Sequence, residues 1–261
     1  MIEVKELQQL KEKTESKRYV TIYLNTDQSN MDQKKGEWKI RLKNGLKKLE
    51  EYIEASNSDE LQAFKKIKKF ALKEITDMQT SLPKSILFIG TTDGEWYVKE
   101  LQVKVENDFS WEIEPNLTQL HQLEELYPVS GVLLIQKLNM LSVETVLGEI
   151  TNEVSFAWDL ETEDWRKYEG VAATERHASG ANHRDQFEQR FEANQQRWYK
   201  ELASLVEKEA KLRGWTSIYL VGAPEILTEF SKHLTYKHVE KFKKNLTNFK
   251  SQEIVNEVLA S

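Results

Sequence analysis

The chain is 261 residues long, with 39% hydrophobic and 31% charged residues and a net charge of −6. This composition is typical of a globular protein, and the length predicts two domains. The mean hydropathy of −0.64 and the lack of a long apolar run indicate a soluble protein with no membrane partner. The first residues carry no secretory signal, so we expect a cytoplasmic location. Because the sequence has no cysteine, disulfides, cysteine-ligated zinc and a thiol nucleophile are excluded.

Residues 1–126 are predicted to form an N-terminal α/β domain. Runs of β-branched and aromatic residues predict strands at Tyr19–Leu24, Ser85–Gly90, Trp96–Val105 and Trp111–Glu114. Apolar residues at helical spacing predict helices at Met1–Ser16, Glu37–Glu54, Ser58 to about Met78, and Leu117–Leu126. An Asp-Gly turn within Thr92–Glu95 predicts a hairpin. This half contains no phosphate-binding glycine loop, no G-x-G-x-x-G and no catalytic signature, so we expect no cofactor.

Residues 127–261 are predicted to form a second domain, which begins at the Tyr127–Ser130 boundary. Strands are predicted at Gly131–Gln136, Leu141–Leu147, Asn152–Trp158 and Ser217–Gly222. Helices are predicted from Asp185 to Arg213, at Pro224–Leu234 and at Ser251–Leu259. The segment Asp159–Arg176 is interpreted as a charged connection. The predicted order of elements is three meandering strands, a helix, a strand and a helix. This order is RNase H-like, so the predicted fold class is α/β, or α+β.

The most informative stretch is a loop followed by a long helix, between His177 and Arg213. The helix contains no Pro or Gly, and apolar residues recur along one face at spacings of three, four and seven. The loop contains Ser179-Gly180-Ala181-Asn182, whose small residues allow the backbone to approach a crowded partner closely. Asn182 adds a side-chain amide that both donates and accepts hydrogen bonds. The pattern predicts a small-residue loop held out by a stiff helix.

This arrangement resembles the middle domain of the archaeo-eukaryotic class I peptide-release factors and of their rescue relative Pelota. In the release factors a His-Gly-Arg-Gly-Gly-Gln loop precedes a long helix of the kind Ser-x-x-x-Phe-x-x-x-Arg. Here His177–Asn182 precedes a helix with Phe187, which aligns Gly180 and Ala181 with the two glycines and Asn182 with the glutamine. The flanking segments that share the resemblance are Ser130–Ile135, Ser217–Pro224 and Glu225–Leu234. The chain is similar to the bacterial baeRF-like proteins, which pair such a domain with an unrelated N-terminal domain.

The resemblance implies a ribosome-associated translation factor that mimics tRNA. Its Gly180-Ala181-Asn182 loop would enter the peptidyl-transferase centre, with large-subunit rRNA and peptidyl-tRNA as partners. Asparagine is one methylene shorter than glutamine, so the residues leave open whether the protein hydrolyses peptidyl-tRNA or only rescues stalled ribosomes. The resemblance ends with the chain, so we expect no counterpart of the domain that engages a partner GTPase. The oligomeric state is left open.

Candidate RNA contacts lie around the loop and along the helix. They are His177, His183, Arg184, Arg190 and Arg197. Arg190 and Arg197 are seven residues apart and therefore share one helix face. His177 and His183 are six apart, which is not a metal-binding spacing, so no metal ion is expected.

Basic residues also gather in three windows, Lys34–Lys48, Lys65–Lys73 and Lys232–Lys250. Such windows fit contact with ribosomal RNA, although a solvated helix surface is the better explanation of any single one.

Two other functions are compatible with this fold. One is a non-catalytic binding or scaffold protein that kept the fold without the ribosomal role. The other is a metal-dependent nuclease, suggested by the acidic residues Asp159, Glu161, Glu163 and Asp164. The nuclease is disfavoured because the first strand, Gly131–Gln136, carries no carboxylate.

Overall fold

The computed structural model describes residues 18–29, 31–159, 164–169 and 184–260, and only the backbone at positions 33, 159, 164 and 184–193. The chain divides into two compact units, Met1–Gln122 and Leu123–Ser261. Each contains one β-sheet with helices packed on it, so the predicted α/β class is confirmed. The helix predicted at 1–16 lies outside the described residues. Within the described ranges, no helix has the length and apolarity needed to cross a membrane.

The N-terminal unit is built on a four-stranded antiparallel sheet with the order β3-β2-β1-β4. Its strands are β1 Tyr19–Asn25, β2 Ser85–Thr91, β3 Trp96–Leu101 and β4 Asp108–Glu112. Its helices are α1 Met31–Lys34, α2 Glu37–Ser56 and α3 Leu61–Asp77, while α4 Thr118–Leu126 crosses the division after Gln122. The turn between β2 and β3 contains Gly94 at a φ of 86°, as the Asp-Gly signal predicted.

The core of this unit lies between the sheet and the helices α2 and α3. Each helix buries one row of apolar residues at spacings of three, four or seven, which is why these segments form amphipathic helices. The rows are Trp38, Leu42, Leu46 and Ile53 on α2, and Phe64, Ile67, Ala71 and Ile75 on α3. They pack on the apolar face formed by Val20, Ile22, Leu24, Ile86 and Phe88.

The C-terminal unit contains a six-stranded sheet with the order β10-β9-β5-β6-β7-β8. Its strands are β5 Ser130–Ile135, β6 Asn139–Val146, β7 Glu149–Asp159, β8 Asp164–Glu169, β9 Ser217–Gly222 and β10 Val239–Phe242. Strands β5 to β8 form an antiparallel meander, β9 runs parallel to β5, and β10 runs parallel to β9.

Two of these strands correct the sequence analysis. The segment Asp159–Arg176, interpreted as a charged connection, contains the end of β7 and all of β8, so the meander has four strands instead of three. β10 lies inside the basic window Lys232–Lys250, where no strand was predicted.

Helices cover both faces of this sheet, giving three layers. The helices are α5 Arg184–Arg213, α6 Pro224–Ser231 and α7 Ser251–Leu259. Because successive strand residues point to opposite faces, Leu133 and Ile135 of β5 pack with α5 and α6, whereas Val132 and Leu134 pack with α7. The long helix α5 is thus fixed on one face of the sheet.

Candidate functional site

Helix α5 is fixed to the sheet by a cluster of three tryptophans. Trp198 of α5 stacks on Trp158 of β7, with ring centroids 4.2 Å apart and an interplanar angle of 30°. Trp165 of β8 meets Trp158 edge-on at 5.4 Å, and its Nε1 atom donates a hydrogen bond of 3.0 Å to the backbone oxygen of Trp198. The strand absent from the sequence prediction is therefore one of the elements that hold the long helix.

The same helix packs against α6. The Tyr199 ring meets Phe230 edge-on at 5.8 Å, and burial raises the pKa of the Tyr199 hydroxyl. From there, Leu202, Val206 and Ala210 continue the buried row to the last turn of the helix. The C-terminal half of α5 is consequently held along its length by core contacts.

A polar contact joins α5 to α6 at the surface. Gln196 Nε2 donates to Glu229 Oε2 at 2.8 Å, and the His233 Nε2 atom lies 2.9 Å from Gln196 Oε1. Hydrogen bonds from Lys232 and Gln196 lower the pKa of the Glu229 carboxyl. This contact could not be predicted from the sequence, because Glu229 and His233 are 33 and 37 positions from Gln196 and share no motif with it.

The C-terminal end of α5 is held by a buried carboxylate. Glu144 of β6 accepts hydrogen bonds from Trp215 Nε1 at 2.8 Å and from Thr151 Oγ1 at 2.7 Å. The Arg213 guanidinium, at the end of α5, lies 3.8 Å from the same carboxylate. These partners account for the burial of Glu144, because a buried charge is tolerated when it is paired and hydrogen-bonded.

Of the predicted loop residues, Gly180, Ala181, Asn182, His177 and His183 lie outside the described part of the chain. The described backbone resumes at position 184 as the start of α5. At a rise of 1.5 Å per residue, the helix covers about 21 Å between that position and the tryptophan cluster.

The predicted arginines occupy two rows of α5. A helix turns by about 100° per residue, so Arg190 and Arg197 lie about 20° apart around the axis, and Arg184 lies about 140° from Arg197. The Arg197 side chain is exposed, with its Nε atom 3.7 Å from Oε1 of Glu201. An exposed pair at this distance contributes at most about 1 kcal/mol, so an approaching phosphate can replace the carboxylate.

Two of the acidic residues behind the nuclease alternative, Asp159 and Asp164, belong to the paired strands β7 and β8. The backbone pairs Asp159 with Asp164, while Glu161 and Glu163 lie outside the described residues. Across the ranges that the structure describes, no three His, Asp or Glu side chains converge as they would on a metal ion. Among the side chains of this sheet whose burial is described, the buried carboxylate is that of Glu144, which is engaged by Trp215, Thr151 and Arg213.

Comparison with known proteins gives a family match over the C-terminal unit. The model of bacterial archaeo-eukaryotic release factor family 5 matches residues 128–260. The uncharacterized protein YocB of Bacillus subtilis (strain 168) is 29% identical over 242 residues, which are 93% of this chain and 92% of that protein. The similarity to YocB therefore extends through both units.

Two solved structures are also similar. One is described as an archaeal protein, with 12% identity and a TM-score of 0.34, covering 98% of this chain and 72% of that one. The other is the archaeal translation termination factor aRF1, with 11% identity and a TM-score of 0.33, covering 97% of this chain and 72% of that one.

Proposed function

The chain belongs to bacterial archaeo-eukaryotic release factor family 5, and from this membership we propose that it is a cytoplasmic, ribosome-associated translation factor. It binds the large subunit of a stalled ribosome and brings the loop Gly180-Ala181-Asn182 to the acceptor end of peptidyl-tRNA. The family match over residues 128–260 is the observation that carries this proposal.

The packing of α5 supports the role given to the loop. A group that acts in a narrow cavity has to be positioned by a rigid element. A small movement where that element is anchored would become a larger displacement at its far end. The tryptophan cluster at Trp158, Trp165 and Trp198 and the carboxylate of Glu144 hold α5 at two separate places. Arg197 lies exposed on the same helix, where it can contact an RNA phosphate.

The chemistry of the loop assigns binding as the main activity and hydrolysis as a weaker one. A side-chain amide can orient a water molecule toward an ester without acting as a base. Asn182 is one methylene shorter than the glutamine it aligns with, so its amide has a shorter reach toward the ester. We therefore expect peptide release to be slow for the natural chain and faster for the double variant Ala181→Gly/Asn182→Gln.

The proposal is tested with stalled ribosomes that carry labelled peptidyl-tRNA. The protein is expected to co-sediment with the large subunit, and binding should weaken as salt increases because phosphate contacts release counterions. In the same reactions, the Ala181→Gly/Asn182→Gln variant should release peptide faster than the natural chain, and Asn182→Ala should release none above background.

A lack of co-sedimentation at low salt would reject the ribosomal role and favour the scaffold alternative. Co-sedimentation with equal, background release by all three proteins would keep the ribosomal role and remove the hydrolase chemistry.

A further inference from the structure

The N-terminal unit contains an open groove of about 450 Å³ between α2 and β4. Its walls combine the cations Arg41 and Lys48, the carboxamides Asn44 and Asn107, and the ring of Phe109, together with Gly45 and Leu49. None of the described residues that line it is acidic. Its two cations lie in the first of the three basic windows, Lys34–Lys48, and all of its lining residues lie outside the residues 128–260 matched by the family.

The two cations of the groove lie in one row on α2. Arg41 and Lys48 are seven residues apart, which places them on the same helix face and about 10 Å apart along the axis. Arg41 holds Glu37 through Nε and Nη2 at 3.1 and 2.6 Å, which leaves further N–H groups of the guanidinium. Among the described residues, Lys48 has no ion-pair partner. The groove therefore has a local positive charge on a protein whose net charge is −6.

The ring of Phe109 forms the wall opposite the helix because position 45 is glycine. A Cβ atom at Gly45 would lie 2.5 Å from the Phe109 ring, closer than any real contact allows. A glycine in the middle of a helix costs about 1 kcal/mol relative to alanine, and here it allows the half-buried ring to lie against the helix backbone.

The two carboxamides of the groove supply hydrogen-bonding groups beside the ring. Asn107 accepts a hydrogen bond from the Asn25 backbone N–H at 2.8 Å, which fixes the orientation of its amide. Asn44 is exposed on the α2 row between Arg41 and Lys48. Carboxamides both donate and accept, so they suit the mixed edges of an unpaired base.

We propose that this groove binds a short single-stranded segment of RNA. Lys48 and Arg41 contact its phosphates, a base stacks on Phe109, and Asn44 and Asn107 hydrogen-bond the base edge. Aromatic stacking combined with a cationic groove is how proteins hold single strands, whereas a simple anion site needs neither ring nor amides. The choice of RNA as the polyanion rests on the proposed ribosomal role.

The test measures binding of a fluorescein-labelled oligouridylate of about ten nucleotides by anisotropy, from about 50 to about 200 mM KCl. The double variant Arg41→Ala/Lys48→Ala should bind about tenfold more weakly at the low-salt end. Its slope of log K against log salt should be smaller by about 1.4, because each lost phosphate contact on a single strand removes about 0.7. Asn44→Ala should weaken binding without changing the slope.

Helix α3 supplies the matched control. Lys66 and Lys73 are exposed, seven residues apart on one helix face, and outside the groove. Lys66→Ala/Lys73→Ala removes the same charge and should leave both affinity and slope close to those of the natural chain. The charge-preserving double variant Arg41→Lys/Lys48→Arg should also keep the slope, which separates lost charge from lost folding.

An equal loss of RNA affinity in the α3 control and in the groove variant would overturn the groove as a site, since it would indicate only a general effect of charge. Displacement of the RNA by polyglutamate, with the same dependence on Arg41 and Lys48, would overturn RNA as the ligand. If oligouridylate binds through the groove but the protein does not co-sediment with ribosomes, the proposed function fails and the groove stands. If the protein co-sediments with ribosomes but the groove variant binds oligouridylate as well as the natural chain does, the groove proposal is rejected and the proposed function stands.

Discussion

At the scale of single residues, the C-terminal unit depends on the close approach of Gly131 and Trp215. A Cβ atom at position 131 would lie 2.1 Å from Cζ3 of the Trp215 ring. The ring cannot easily move, because its Nε1 atom donates a hydrogen bond to Glu144 and the backbone oxygen of Trp215 accepts one from the Tyr236 hydroxyl. Gly131 is therefore required because it leaves room for the Trp215 ring. Its conformational freedom is not required, since it lies in a regular strand.

We expect Gly131→Ala to lower the free energy of unfolding by about 1 to 3 kcal/mol, since the added methyl group overpacks the site. Urea denaturation of Gly131→Ala in the natural background and in a Trp215→Phe background measures the coupling. The smaller ring should reduce the cost of the methyl group. An equal cost in both backgrounds would contradict the proposed clash.

Still at the residue scale, the sequence made Gly180, Ala181 and Asn182 candidates through resemblance alone. Their pattern of small residues has a meaning only beside the helix that follows, and the structure describes that helix from position 184. The carboxylate of Glu144 could not be identified in advance. A lone glutamate in an apolar strand carries no sign of the tryptophan, threonine and arginine that surround it.

At the scale of elements, the sequence predicts best where the hydrophobic period is strong. Strand β9 at Ser217–Gly222 and helix α7 at Ser251–Leu259 have the predicted bounds, because each has an uninterrupted apolar pattern. Strand β8 was missed because Trp165 is its only buried described side chain and the neighbours are charged. Its strand conformation is stabilised by pairing with β7 and by the tryptophan cluster, neither of which is a local signal.

The tryptophan cluster predicts that β8 is important for stability despite its charged sequence. Trp165→Ala should lower the free energy of unfolding by about 3 to 5 kcal/mol, because it removes a buried ring and the hydrogen bond to the Trp198 carbonyl. Urea denaturation measures the change. Trp96→Ala is the control, since Trp96 is 51% exposed and should cost less. If Trp165→Ala lowers the free energy of unfolding by no more than Trp96→Ala does, β8 does not hold α5.

At the scale of the whole molecule, the candidate sites divide into one found by sequence and one found by structure. The candidate segment Gly180–Asn182 could be proposed from the sequence because its residues are contiguous. The groove in the N-terminal unit joins α2 to Asn107 and Phe109, about sixty residues later in the chain. Only the packing of β4 against α2 brings these residues together, so the basic window Lys34–Lys48 could be identified in advance but its aromatic and amide partners could not.

The most direct test of the ribosomal role is cryo-electron microscopy of the protein bound to stalled ribosomes that carry peptidyl-tRNA. The C-terminal unit is expected to occupy the large subunit, with α5 directed at the peptidyl-transferase centre and Asn182 beside the acceptor end of the tRNA. Density for the protein at another site, or Asn182 remote from the acceptor end in a well-resolved complex, would contradict it.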